Sequence, residues 1–311
     1  MNLPKGFTDQ ISSPRILRVA ADGHKGAGKT RLLVTAPDPV GILPLDINTR
    51  MTIAKVKAEF PKKQIWMPPE DLLVVAGLER INSVLRAEKW SRFEGLVADK
   101  IGAEEQKKRD EITRSEMRLY RDHLSRVKDL YSTLINNPDV RTVCIDTGTN
   151  LNDLVANAHY GKNFRVPTRD RGPFNLDMEE FWDLPGNRKH LIITHYTTEV
   201  WSPDTVDQSG RTVNGKPTGQ WRLDGWKHTK FKANVCLHHG KAQTAVDLRK
   251  LEKEMGLDQG DLPSPTFYLR VYDSNANPEL VSEGTVLVND DVTFQNVAMM
   301  VYPDSRYTDW T

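Results

Sequence analysis

The chain has 311 residues, 43 Lys plus Arg against 42 Asp plus Glu, a formal net charge of +1 and two cysteines. That length allows one large α/β domain or two ordinary ones, and the charge balance excludes a global basic field, so any nucleic-acid contact must be local. Cys144 and Cys236 lie inside apolar runs, which argues against a disulfide framework or a cysteine zinc site. Residues 1–6 lack the apolar core of a signal peptide and no run approaches membrane-spanning length. The expectation is a soluble, cytoplasmic protein with no membrane partner.

In chain order, the apolar run Ile16 to Ala21 reads as a buried strand, and Gly23-His24-Lys25-Gly26-Ala27-Gly28-Lys29-Thr30 follows it. This fits the P-loop pattern G-x-x-x-x-G-K-[ST] at every fixed position. Glycines belong where backbone N–H groups must turn inward and approach phosphate oxygens closely. Lys29 is expected to reach the β- and γ-phosphates, and the Thr30 hydroxyl to ligate Mg²⁺. The candidate cofactor-binding stretch runs from Gly23 through Arg31, and a short helix from Lys29 to Ala36 stops at Pro37. A second strand, Val40 to Asp46, ends in an acid, with Pro44 uncomfortable inside it.

Leu72 to Trp90 has helical spacing, and the nearly pure charge run from Gly102 to Met117 reads as a solvated helix face. Together they suggest a helical insertion at about residues 66–117. Tyr120, Leu124, Val127, Tyr131 and Leu134 alternate steps of four and three, as a helix packed on a sheet requires. The strand Val140 to Asp146 closes on an aspartate before Thr147, the form of a Walker B strand whose carboxylate holds Mg²⁺. A loop with Tyr160, Lys162, Phe164, Arg165, Arg169, Arg171 and Phe174 follows, then a helix from Asn175 to Leu184. The strand His190 to His195 ends in Thr194-His195. A second long loop, Tyr196 to Trp226, closes with Lys216, Trp221, Arg222, Trp226 and Lys227, with Lys230 just beyond. Short strands at Asn234 to Leu237 and Thr266 to Tyr272 flank a helix at Ala245 to Met255.

Strand ends of an open parallel sheet share one ligand-binding edge. Lys29, Asp46, Asp146 and His195 are therefore the candidate catalytic set, with Thr30 and Asp146 as metal ligands. His195 is placed either on the γ-phosphate or as the cap of a buried strand. Asp46 is the candidate base, and Asn48 only orients water. The basic residues of the two loops can neutralise phosphates, and Tyr160, Phe164, Trp221 and Trp226 can stack unpaired bases. The tentative DNA set is Lys162, Arg165, Arg169, Arg171, Lys216, Trp221, Arg222, Lys227 and Lys230. Trp66, Trp182 and Trp201 are assigned to packing, and His238-His239 is not spaced as a metal pair.

On these residues the chain resembles a RecA-like P-loop ATPase. More narrowly it resembles compact phage-encoded AAA-type nucleotide-binding and single-strand-annealing proteins, through Gly23 to Thr30, Pro44-Leu45-Asp46, Val143 to Thr147, Leu191 to His195, Tyr268 to Asp273, Asn277 to Leu280 and Val301-Tyr302-Pro303. The resemblance implies a single RecA-like domain over residues 1–311, a mostly parallel sheet flanked by helices, ATP and Mg²⁺ as cofactors, homo-oligomers, and single-stranded DNA held by the two loops. RecA proper has a catalytic glutamate where this chain has Asn48, which implies either Asp46 as the base or a slow ATPase that mainly switches on binding. Two other classes stay open: a P-loop kinase acting on a small molecule, and a non-hydrolysing switch for a protein partner.

Overall fold

A computed structural model describes residues 15–69, 103–161, 171–202, 205–206, 212–213 and 215–310. The first half of the chain alternates strands and helices: β1 (Arg18–Gly23), α1 (Lys29–Thr35), β2 (Val40–Pro44), α2 (Thr49–Lys57), β3 (Ile65–Trp66), α3 (Ala103–Asn136), β4 (Thr142–Asp146), α4 (Gly148–Tyr160) and α5 (Gly172–Asp183). After β5 (His190–Thr194) come β6 (Tyr196–Trp201), β7 (Thr205–Val206), β8 (Thr212–Val213), β9 (Pro217–Asp224) and α6 (Thr229–Lys232). Then β10 (Val235–Ala242), α7 (Ala245–Met255), β11 (Thr266–Ser274), α8 (Glu279–Ser282), β12 (Val286–Val288) and α9 (Phe294–Val301) complete the chain.

Eight strands form one sheet in the order β12-β11-β10-β1-β5-β4-β2-β3, parallel from β10 to β3 with β11 and β12 antiparallel at one edge. The central strands are continuously apolar because both faces are covered. Ala20, Val143, Ile145, Leu191 and Ile193 pack under α3, α4 and α5, whereas Val19, Ala21, Cys144 and Ile192 pack under α1 and α9. The period-two alternation of a strand divides them. Pro44 is tolerated because β3 pairs only with Val40 and Gly41 of β2, so at Pro44 that side of the strand has no ladder to break.

Helix α3 corrects the expected insertion. Its 34 residues run unbroken from the charged stretch into the apolar stripe, and Trp66 belongs to the sheet. Tyr120, Leu124, Val127 and Tyr131 are buried as the spacing requires. The segment Leu72 to Trp90 lies outside the described residues. The second long loop is likewise corrected: it contains an antiparallel hairpin, β6 paired with β9 from Tyr196↔Asp224 to Trp201↔Pro217, and a small β7–β8 ribbon. Its Gly, Pro and Asp content hid the strands. Strand β10 runs past Leu237 to Ala242, because His238, His239, Gly240 and Lys241 pair with β11 despite their polarity.

Two tryptophans depart from expectation. Trp226 is buried and its indole Nε1 donates to Asn175 Oδ1 at 3.0 Å, so it is core and not a base-stacking surface. Trp201 is 61% exposed, which removes the packing role assigned to it. Among the described residues, no helix is long and apolar enough to cross a membrane.

The α3 stripe makes a quantitative contrast. Leu124 is 6% exposed and Leu119 is 42% exposed. Leu124→Ala should cost about 2–5 kcal/mol through lost burial and a residual cavity, whereas Leu119→Ala should stay within about 0.5 kcal/mol. Denaturant unfolding of the two variants checks this.

Candidate functional site

The turn after β1 is shaped by glycine. A Cβ on Gly23 would lie 2.4 Å from the His239 carbonyl oxygen, so only glycine lets β1 leave the sheet this close to β10. Gly26 and Gly28 have φ of +80° and +92°, and nothing lies within 4 Å of where a Gly26 Cβ would project. The loop thus leaves its backbone open at Gly26, as a phosphate cradle requires.

Lys29 opens α1 but folds back. Its Nζ donates to the carbonyls of Gly23 at 2.5 Å and His24 at 3.1 Å, and lies 5.4 Å from the centre of the Tyr196 ring. The residue is 8% exposed. Burial holds its amine below the usual lysine range, against the opposing attraction of Asp146, Asp22 and Asp46.

Asp146, at the end of β4, is the second fixed point. Its Oδ2 accepts from the Thr49 hydroxyl at 2.6 Å and its Oδ1 from the Thr194 hydroxyl. Its carbonyl accepts from the amides of Leu45 at 2.6 Å and Asp46 at 3.0 Å. Burial raises this carboxyl, while the two hydroxyls and Lys29 pull it back down. The ends of β2, β4 and β5 and the first turn of α2 therefore meet on one residue, with α2 and β5 on its carboxylate and the chain after β2 on its carbonyl. Thr49 is the residue that sequence reasoning missed. Only the register Pro44↔Asp146 brings α2 beside β4, and no motif announces that pairing.

Asp46 Oδ1 accepts from the backbone N of Asn48 at 2.8 Å and from its Nδ2 at 3.1 Å, which fixes the Asn48 amide. Thr30 and Asp146 offer a hydroxyl and a carboxylate, the hard oxygen set that suits Mg²⁺. Among the described residues, no group of three or more His, Cys, Asp or Glu side chains could hold a metal. A cation here would rely on those two residues and the oxygens of the ligand.

His195 is 1% exposed, enclosed by the backbone of Gly148 and Gly225, with Nδ1 3.3 Å from the Asp224 carbonyl. The ring serves as a buried strand cap in this conformation, and Thr194 is the β5 residue that touches Asp146. Arg31 is committed to ion pairs with Glu59 at 2.8 Å and Asp290 at 2.9 Å; its side chain anchors α1. Lys25 is exposed.

Of the basic residues, Arg171, Lys216, Arg222, Lys227 and Lys230 are exposed. Lys162, Arg165, Arg169 and Phe164 lie outside the described residues. Trp221 is 49% exposed and stands edge-on to the His24 ring, with centroids 4.4 Å apart. The Thr197 Oγ1 lies 3.3 Å from His24 Nδ1. Both strands of the β6–β9 hairpin thus rest on the glycine loop.

No protein-family model matches this chain, and no curated protein matches it in sequence.

Three buried histidines set an acid limit on the fold. Burial lowers His190 and His195 to about 4 and His239 to about 3, from an ordinary value of 6.5. His190 Nδ1 accepts from the Leu17 amide at 3.1 Å and must stay neutral to do so. Above pH 6.5 neither state holds these protons and the contribution to stability is complete; between 6.5 and about 4 only the unfolded chain binds them. Stability should therefore fall by about 1.4 kcal/mol per pH unit for each histidine once acidification passes the unfolded value. Denaturant unfolding at stepped pH checks this, and a flat profile between pH 7 and 5 contradicts it.

Proposed function

We propose that this chain is an ATP- and Mg²⁺-dependent ATPase of the RecA-like P-loop class. It holds single-stranded DNA on the β6–β9 hairpin and the lysines that flank it, and acts in phage DNA annealing or recombination. The observation that carries the reading is the contact of His24 with Trp221 and Thr197: one residue belongs both to the phosphate-type loop and to the support of the hairpin that carries Trp221 and Arg222.

Bound ATP and Mg²⁺ supply the scissile phosphoanhydride and neutralise its charge. The residues of the chain fit that group. Gly26 leaves its backbone open to phosphate oxygens. The Lys29 ammonium, resting on two carbonyls of its own loop, is already buried where an anion would be welcome. Thr30 and Asp146 would hold the cation, and Thr49 and Thr194 hold the Asp146 carboxylate in position. Asp46 is the available proton acceptor, and it fixes the Asn48 amide, which would orient the attacking water. An amide cannot take that water's proton, so turnover should be slow.

When Lys29 exchanges carbonyl partners for phosphate oxygens, the carbonyls of Gly23 and His24 lose their donor and the loop must readjust. His24 passes that adjustment to β6 and β9. Exposed Lys216, Arg222, Lys227 and Lys230 then present cations to a phosphate backbone, a contact that weakens steeply with salt.

Phosphate release with and without single-stranded DNA tests the reading. DNA should raise the wild-type rate, and Lys29→Ala should lower it by roughly 10²–10³-fold, as loss of one pre-positioned charge at a reacting phosphate does. Phosphate transferred to a small acceptor selects a kinase instead. A negligible rate, indifferent to DNA, selects a nucleotide switch.

A further inference from the structure

A row of three side chains crosses the sheet behind the glycine loop. Asp22 of β1 is in register with His238 of β10, which is in register with Arg270 of β11. The His238 Nδ1–H donates to Asp22 Oδ1 at 2.6 Å, and the Asp22 side chain is 3% exposed. Arg270 is held by Glu254, with Nε 2.7 Å from its Oε1. This row lines a cavity of about 360 Å³, in which Asp22 is the buried member. Trp221 and Arg222 of β9, with Lys230 and Tyr272, complete its lining.

Resting on the single-strand reading above, the geometry points to a pocket for one nucleotide of that strand, its base stacked against Trp221, its phosphate on Arg222 and Lys230, and its base edge turned toward His238 and Asp22. The volume falls at the small end of ligand sites. The charge arrangement fixes the orientation. A buried carboxylate at the base of the pocket repels a phosphate pushed inward and accepts N–H donors, which base edges carry and phosphates lack. With Nδ1 donating to Asp22, the second ring nitrogen of His238 remains for the base. Cations at the mouth exclude a cationic ligand and attract phosphate: Arg222 is exposed, and the Lys230 side chain is 52% exposed, 4.0 Å from Asp273 and 5.0 Å from the Tyr272 ring. Trp221 offers an aromatic face of the kind on which unpaired bases stack. Asp22 directly precedes Gly23, and Trp221 touches His24, so a base seated here abuts the loop from behind.

The test is fluorescence anisotropy of the full chain with a labelled dC dodecamer and a labelled abasic dodecamer of the same backbone, together with direct calorimetric titration of dCMP. The dC strand should bind at least about tenfold more tightly than the abasic strand, and Trp221→Ala should erase that difference. Lys230→Ala should weaken both strands and reduce the salt slope by about 1. Equal binding of the two strands, unchanged by Trp221→Ala, overturns the pocket and leaves the strand reading intact. Binding of dCMP that depends on Trp221, without binding of either strand, supports the pocket and overturns the strand reading. Absence of binding by all three overturns both.

Discussion

The burial of one ammonium group organises this end of the molecule. Lys29 is nearly enclosed, and water cannot stabilise its charge, so the protein does so with the carbonyls of Gly23 and His24 and the longer-range fields of Asp146, Asp22 and Asp46. Such an arrangement is worth its desolvation cost only if geometry is held closely. The parallel sheet does that holding. Four strands end on the same edge, and hydroxyls from β5 and α2 clamp the central carboxylate. A cation surrounded by acids and backed by open glycine backbone is poised to exchange internal partners for the oxygens of an anion.

That exchange has a mechanical consequence because the loop is not isolated. His24 lies between the glycine turn and the β6–β9 hairpin, and Tyr196 lies beside the Lys29 amine. At the far end, Tyr196 N donates to Thr149 Oγ1 at 2.9 Å, and Thr149 in turn donates to the Asp224 carbonyl at 2.6 Å. The hairpin is therefore tied at its base to α4, directly after the Asp146 strand. Both ends of the candidate nucleotide site feel the same ribbon, and so does the cavity behind Asp22. A rearrangement of the loop and a ligand on the hairpin would act on one set of contacts, which makes reciprocal coupling the natural result.

Much of this was legible in the sequence. Glycine and lysine at fixed spacing carry the loop, since few other residues satisfy positive φ and close approach. Apolar runs ending in Asp46, Asp146 and Thr194 carry the parallel sheet, because strands buried on both faces have no polar alternation to obscure them. What the sequence hid is pairwise. Thr49 reaches Asp146 only through the register of β2 against β4, and the Asp22–His238–Arg270 row exists only across three strands. Hairpin strands rich in Thr, Gly and Asp read as loop because one face of each is polar. Trp226 looked available for stacking because its neighbours are basic, yet its side chain turns inward to Asn175.

Hydrogen–deuterium exchange of the full chain with ATP and Mg²⁺ tests the link between the loop and the hairpin most directly. The account predicts altered exchange of amides in Gly23–Thr35 and, together with them, in Tyr196–Trp201 and Pro217–Asp224, with both responses lost in Lys29→Ala. Protection confined to Gly23–Thr35, with the hairpin amides exchanging as they do without nucleotide, would contradict it.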